Sequence, residues 1–219
     1  MELNIDEALR YLGVGRQAPP ELRQETEDTA RRLTARLRPR YTYRVFSLKQ
    51  KDGVLRLPEA DLILPGKDAK KMLADCGWVV LLGCTLGAEF EGMLRAEQAR
   101  DMAKAVILDA CGSAWVEAGC DQAEQEIAAR LPGQYLTDRF SPGYGDLPLS
   151  LQPAICGALD LGRRLGVHVS ERFLMNPSKS VTALIGIADH PQMARIRGCA
   201  YCAMRETCTL RKGGKHCGN

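Results

Sequence analysis

Two stretches of the chain combine residue types and spacings that can do chemistry: a short polar and aromatic loop, and a cluster of cysteines near the C-terminus. The loop is Arg139–Asp146, which contains an arginine, a phenol, two glycines and a carboxylate. Such a stiff loop is typical of a ligand-binding edge, because loops held on a rigid scaffold carry most ligand contacts. The alternative is a structural turn, since Pro142-Gly143 is an ordinary turn signal.

The second stretch holds four of the nine cysteines, all within the last 21 residues. Four thiolates suit zinc or an iron–sulfur cluster, and the first two form a C-x-x-C pair that can chelate one metal. Neighbouring arginines and lysines would favour the thiolate form. The alternative is a reduced tail with reactive cysteines. The predicted metal ligands are Cys199, Cys202, Cys208 and Cys217.

The other five cysteines stand among apolar residues, which predicts small core side chains. No basic and apolar leader opens the chain, so nine cysteines indicate reduced thiols and a cytoplasmic location. No apolar run reaches the roughly 18 residues that cross a bilayer. A net charge of +3 is too small to indicate nucleic-acid binding, so we expect neither membrane nor nucleic acid as a partner. The five are Cys76, Cys84, Cys111, Cys120 and Cys156.

A polar stripe follows the longest helical pattern, residues 101–130. Asp109, Ser113, Glu117 and Asp121 recur at intervals of four, so they share one slowly turning face. The neighbours of Asp109 are almost all apolar or small, which places its carboxylate near the buried side, where it needs a partner or a role. The alternative is that Asp109 and Glu117 face water.

Hydrophobic periodicity predicts helices and strands without regular βαβ alternation, which indicates an α+β fold with a partly antiparallel mixed sheet and flanking helices. The apolar run Trp78–Leu82 is typical of a strand covered on both faces. The glycine-rich turn after it, Gly83–Gly87, could hold an anion or simply allow close packing. Further predicted helices are 6–12, 19–37, 67–75, 88–100 and 150–165, and further strands are 41–48, 54–57, 61–64, 173–175 and 180–187.

Several common catalytic motifs do not occur in the sequence. There is no G-x-G-x-x-G after a strand, no G-x-x-x-x-G-K-[ST] and no nucleophile elbow. The chain has three histidines, none of them in an H-x-x-x-H pair, which disfavours a histidine-based zinc hydrolase.

The loop and a later motif together resemble a known family. Arg-x-Ser-Pro-Gly-Tyr at 139–144 is followed by Met-x-Pro-x-x-Ser-Val at 175–181. These two motifs, in this order, are similar to the activation domain of cobalamin-dependent methionine synthase, and the likeness covers roughly residues 75–190. The resemblance implies the fold of that domain and a loop that binds S-adenosylmethionine. The implied binding residues are Arg139, Ser141, Pro142, Gly143 and Tyr144.

The chemistry of these residues agrees with that ligand. The guanidinium of Arg139 could pair with the carboxylate of S-adenosylmethionine or contact its ribose side, and the ring of Tyr144 could face its sulfonium cation. Asp109, Glu117 and Asp121 are the candidates to receive its ammonium. In the resembled family the methyl group passes to cobalamin on another domain, after a one-electron reduction. The implied partners are therefore a cobalamin-binding methionine synthase or corrinoid protein, and an electron donor such as flavodoxin or ferredoxin.

The chain also departs from the family. Residues 145–148 read Gly-Asp-Leu-Pro where the family has Pro-Ala-Cys-Pro, and no Asp-x-His-x-x-Gly cobalamin-ligand motif occurs. We therefore expect a stand-alone activation unit, with residues 1–190 as an activation-like domain and residues 191–219 as a basic, cysteine-rich tail. The alternative function is a cysteine-tail metal or iron–sulfur redox or interaction protein that does not bind S-adenosylmethionine.

Overall fold

Local signals set the limits of the first two helices. Helix α1 (Ile5–Tyr11) begins after Asn4, whose side chain accepts a hydrogen bond from the Glu7 amide at 3.1 Å and so caps the helix. Helix α2 (Pro20–Arg36) has proline at its first position, where a missing N–H costs nothing. It ends where Leu37 adopts an extended backbone.

The computed structural model describes residues 1–192, apart from the side chain of Arg16. Its helices alternate irregularly with short strands, as the sequence predicts. The other helices are α3 (Lys67–Met72), α4 (Ala88–Gln98), α5 (Met102–Ala129), α6 (Gln152–Ala158) and α7 (Leu161–Leu165). The strands are β1 (Arg40–Ser47), β2 (Lys49–Lys51), β3 (Val54–Leu57), β4 (Leu62–Leu64), β5 (Trp78–Thr85), β6 (Tyr135–Leu136), β7 (His168–Val169), β8 (Met175–Asn176) and β9 (Ser180–Ala188).

The strands of the described residues form three sheets. The largest has the order β1-β5-β9-β6, in which β6 and β9 are antiparallel. A second sheet has the order β2-β3-β4 and is antiparallel throughout, and β7 and β8 form an antiparallel pair. The predicted α+β class with a partly antiparallel sheet is therefore confirmed.

The chain divides into two compact units that share several elements. The first unit comprises residues 1–42, 83–126 and 160–181. Within it, the indole of Trp115 on α5 is buried and donates a hydrogen bond to the Leu37 carbonyl at 2.9 Å, which fixes α5 against the end of α2. Glycines at 112 and 119 let α5 approach Phe90 and Pro39, because a Cβ at either position would meet those side chains.

Of the described residues, the second unit comprises 43–82, 127–159 and 182–192. Strand β3 alternates exposed and buried residues, so Leu55 and Leu57 point inward. The part of β5 in this unit is buried from Val79 to Leu82, as its continuous hydrophobic run predicts.

The structure corrects three details of the predicted elements. The single helix predicted at 150–165 is two helices, because Asp160 adopts a left-handed backbone with φ 52° between α6 and α7. Residues 173 and 174 belong to the turn between β7 and β8, so the predicted strand at 173–175 is wrong except at Met175. The turn predicted at Gly83–Gly87 begins later, since β5 continues to Thr85.

Candidate functional site

The loop Arg139–Asp146 lies in the second unit and is fixed to strand β9 at its first residues. Phe140 and Leu184 exchange two backbone hydrogen bonds of 2.9 and 2.8 Å in an antiparallel bridge. Just before the loop, Thr137 exchanges bonds with Gly186 through its amide at 3.0 Å and its hydroxyl at 2.8 Å. The phenyl ring of Phe140 is buried. The loop therefore leaves the sheet from a defined position.

Two successive tight turns shape the rest of the loop. The Tyr144 amide donates to the Ser141 carbonyl at 3.1 Å, and the Leu147 amide donates to the Tyr144 carbonyl at 3.0 Å. A third backbone hydrogen bond, from the Gly143 amide to the Leu147 carbonyl at 2.8 Å, spans the second turn. Gly143 has φ 93°, a conformation that side chains rarely adopt, so glycine is required there.

Asp146 joins the end of the loop to the start of α3. Its two carboxylate oxygens accept hydrogen bonds from the amides of Lys67, at 2.5 Å, and Asp68, at 3.1 Å. In return, the Asp68 carboxylate accepts the Asp146 amide at 3.3 Å. We call this reciprocal pair the Asp68–Asp146 clasp. It gives Asp146 a structural role, because these helix N-terminal amides have no partner within the helix.

The clasp leaves no room for side chains at two glycines. A Cβ on Gly66 would meet the Asp146 carboxylate, and a Cβ on Gly145 would meet that of Asp68. Both glycines also have positive φ. Gly145-Asp146, which departs from the resembled family's motif, is therefore a matched pair with the Gly66-Lys67-Asp68 segment.

The exposed rim of the loop is aromatic and polar. Tyr144 is 66% exposed, and Gly143 is exposed beside it. Arg139 and Ser141 are half-buried, and Pro142 is buried. The loop is held by backbone hydrogen bonds and by the Asp68–Asp146 clasp, neither of which uses the side chain of Tyr144.

The predicted carboxylates lie in the first unit, on α5. Asp109 forms an ion pair with Lys179 at 2.9 Å, and the same ammonium donates to Ser113 at 2.9 Å. The side chain of Lys179 is 14% exposed and that of Asp109 is 48% exposed. The carboxylate of Asp109 therefore has a charged partner, as expected for a carboxylate among apolar neighbours. Glu117 is half-buried and Asp121 is exposed, and the ammonium-binding role of all three carboxylates stays a prediction.

The second motif, at 175–181, forms a tight turn with a cis Asn176-Pro177 peptide bond. The Ser180 hydroxyl donates to the Pro177 carbonyl at 2.7 Å and lies 2.8 Å from the Thr85 hydroxyl. The Ser178 amide donates to Glu91 at 2.6 Å. This motif is therefore anchored by side chains of β5 and α4 as well as by Lys179.

Sequence reasoning missed two residues of these surroundings. Lys179 lies inside the second motif but was not predicted as the partner of Asp109. Thr182 lies two residues before Leu184 and therefore on the same face of β9; its hydroxyl is buried, 1% exposed overall, and has no hydrogen-bond partner within residues 1–192. Threonine is common in strands of β-branched residues, so the sequence does not indicate that this hydroxyl is buried without a partner.

The predicted metal ligands Cys199, Cys202, Cys208 and Cys217 lie outside the described residues. Within residues 1–192, no three histidine, cysteine or acidic side chains come together as a metal site. No helix in that part of the chain is long and apolar enough to cross a membrane.

No protein-family model matches the chain, and no curated protein matches its sequence significantly. Its fold, however, is similar to a solved structure, that of the MetH reactivation domain bound to AdoHcy. The two superpose with a TM-score of 0.65 at 16% sequence identity, covering 93% of this chain and 75% of the other. The chain therefore has the fold of the methionine synthase reactivation domain, as the two sequence motifs imply.

Proposed function

We propose that this chain binds S-adenosylmethionine at the loop Arg139–Tyr144 and acts as an activation unit for a partner cobalamin-dependent methionine synthase or corrinoid methyltransferase. One observation supports the proposal most. The loop that contains the Arg-x-Ser-Pro-Gly-Tyr motif is hydrogen-bonded to strand β9 and has an exposed rim, on a fold similar to that of a domain bound to AdoHcy.

The groups of the loop fit the ligand's chemistry. Arg139 offers a guanidinium that can form paired hydrogen bonds with a carboxylate. Tyr144 offers an exposed ring face to a sulfonium cation. The Gly143 amide already serves Leu147, so backbone contacts to the ligand come from other atoms of the loop. The motif supports a role for Arg139, Ser141, Pro142, Gly143 and Tyr144, and exposure supports it further for Gly143 and Tyr144.

A donor such as flavodoxin or ferredoxin would first supply one electron to the corrinoid of a partner protein. The ligand held by this chain would then give its methyl group to the reduced corrinoid and leave as AdoHcy. This chain's contribution is to hold the methyl donor and to present it. Because the corrinoid would reside on the partner, the methyl transfer requires both proteins.

Isothermal titration with S-adenosylmethionine and with AdoHcy tests the binding. We expect both to bind, and we expect Arg139→Ala to weaken binding at least about tenfold, because hydrogen bonds to charged groups contribute about 1.5–3 kcal/mol. Arg56→Ala, an exposed arginine on β3, is the matched control and should bind like the unchanged protein. Circular dichroism confirms that each variant is folded.

Two results would contradict the proposal. If the unchanged protein binds neither ligand, the activation role fails and the cysteine-tail redox or interaction protein becomes the better description. If Arg139→Ala binds as well as Arg56→Ala, the assignment of the loop fails.

The cysteine tail is a separate part of the proposal. We propose that its four cysteines bind zinc or an iron–sulfur cluster, on the basis of their spacing alone. Metal analysis and a visible spectrum of anaerobically purified protein test this. Changing Cys199 and Cys202 together to serine should remove the metal and leave S-adenosylmethionine affinity unchanged, whereas a metal-free, colourless preparation of the unchanged protein would exclude the site.

A further inference from the structure

The first unit has a groove between α2 and α4 that the proposed function does not use. Its cavity has a volume of about 230 Å³. Three arginines line it, Arg32 and Arg36 from α2 and Arg100 from the end of α4, against one acidic residue, Glu97. The groove therefore has a net positive charge.

The arginines of the groove differ in how they are neutralised. Arg36 pairs with Glu89 at 2.9 Å. Arg32 donates to the Thr29 hydroxyl at 3.2 Å, and in the described part of the chain it has no carboxylate partner. The guanidinium of Arg100 likewise has no hydrogen bond or ion pair to any residue in 1–192. Two guanidinium groups are thus available to a carboxylate.

Apolar side chains also line the groove, among them Leu33 of α2 and Met93 of α4. Arg32 and Arg36 are one helical turn apart, which places their Cβ atoms about 6 Å from each other. Arg100 follows the end of α4, so the arginines of the groove come from both sides of it. The groove therefore combines positive charge with apolar side chains.

This arrangement suits an elongated partner better than a compact anion. A peptide segment that presents carboxylates at one-turn intervals beside an apolar side chain would match both the arginines and the apolar residues of the groove. We propose that the groove docks an acidic, partly apolar segment of a partner protein. The inference goes beyond the proposed function and does not depend on S-adenosylmethionine binding.

Fluorescence anisotropy of a short labelled peptide of repeating Glu-Glu-Leu-Leu tests the proposal on the full chain. We expect saturable binding that weakens with added salt, and no binding of the matching Gln-Gln-Leu-Leu peptide. The double variant Arg32→Gln, Arg100→Gln should lose at least about tenfold in affinity. The control removes the same two charges elsewhere in the unit, at Arg163 and Arg172, and should change affinity less than about twofold.

A second measurement is independent of charge removal. The methyl signal of Met93 in a carbon–proton correlation spectrum should shift when the acidic peptide binds, while that of Met175 should not. If Arg32→Gln destabilises the protein, the single variant Arg100→Gln replaces the pair, since Arg100 is exposed and lies beyond the end of α4.

Three outcomes would overturn the inference. The first is an acidic peptide that does not bind. The second is an equal loss of affinity in the groove and control variants, which would mean unspecific attraction between charges. The third is inorganic pyrophosphate that binds as tightly as the peptide, displaces it and leaves the Met93 signal unmoved, which would make the groove a small-anion site.

Discussion

Replacing Asp146 by alanine tests whether the Asp68–Asp146 clasp holds the loop. The change removes two hydrogen bonds to backbone amides at the start of α3, from Lys67 at 2.5 Å and Asp68 at 3.1 Å. Loss of a side-chain cap of this kind costs about 0.5–2 kcal/mol of folding free energy. The remaining backbone bonds of the loop, including that between Gly143 and Leu147, are untouched. We therefore expect Asp146→Ala to lower the free energy of unfolding by about 1–2 kcal/mol.

The partner aspartate provides an internal comparison. Asp68→Ala removes only one longer bond, that from the Asp146 amide at 3.3 Å, so its cost should be less than half that of Asp146→Ala. Asp146→Asn keeps one acceptor oxygen and should fall between the two. Urea unfolding followed by circular dichroism measures all three, with the slope m checked for constancy. Equal costs for Asp68→Ala and Asp146→Ala, or a cost for Asp146→Ala below about 0.3 kcal/mol, would refute the clasp.

Two further predictions concern packing and thiol chemistry. Gly112→Ala should destabilise the protein by about 1–3 kcal/mol, because the new methyl group meets the ring of Phe90. Gly157→Ala in α6, where nothing lies within 4 Å, should instead stabilise it by about 0.5–1 kcal/mol. Urea unfolding compares the two variants, and equal effects would contradict the packing. Burial raises the pKa of Cys111 to about 12 and that of Cys156 to about 11, from 9.0, so iodoacetamide at pH 8 should alkylate both thiols only after unfolding. The free energy of unfolding should also fall as the pH rises above about 9, because only the unfolded state then loses these protons. Mass spectrometry of the alkylated sites and unfolding at several pH values check this, and rapid alkylation of the native protein would contradict it.

The sequence predicts much of the fold because its strongest signals are local. The apolar run of β5 and the helical spacing in α5 need no tertiary information, and both elements form where they are expected. The break at Asp160 could not be predicted, because neighbouring segments that both have helical periodicity look like one helix unless glycine or proline separates them.

The candidate site likewise has a part that the sequence predicts and a part that only the structure shows. The motif that contains Arg139 and Tyr144 is visible in the sequence as an unusual loop. The ion pair between Asp109 and Lys179 joins residues far apart in the chain, and no periodicity connects them. Likewise, the structural role of Asp146 depends on the amides of α3, which the sequence alone does not place beside it.

The Asp68–Asp146 clasp has a consequence for how this loop can change in evolution or by engineering. The bonds that hold the loop involve backbone atoms and the carboxylates of the clasp, while Tyr144, at the centre of the rim, makes none with its side chain within residues 1–192. Substitutions of Tyr144 can therefore alter the chemistry of the rim at little cost to folding. Position 144 therefore suits a combinatorial library, with Gly66, Gly143, Gly145 and both aspartates kept constant.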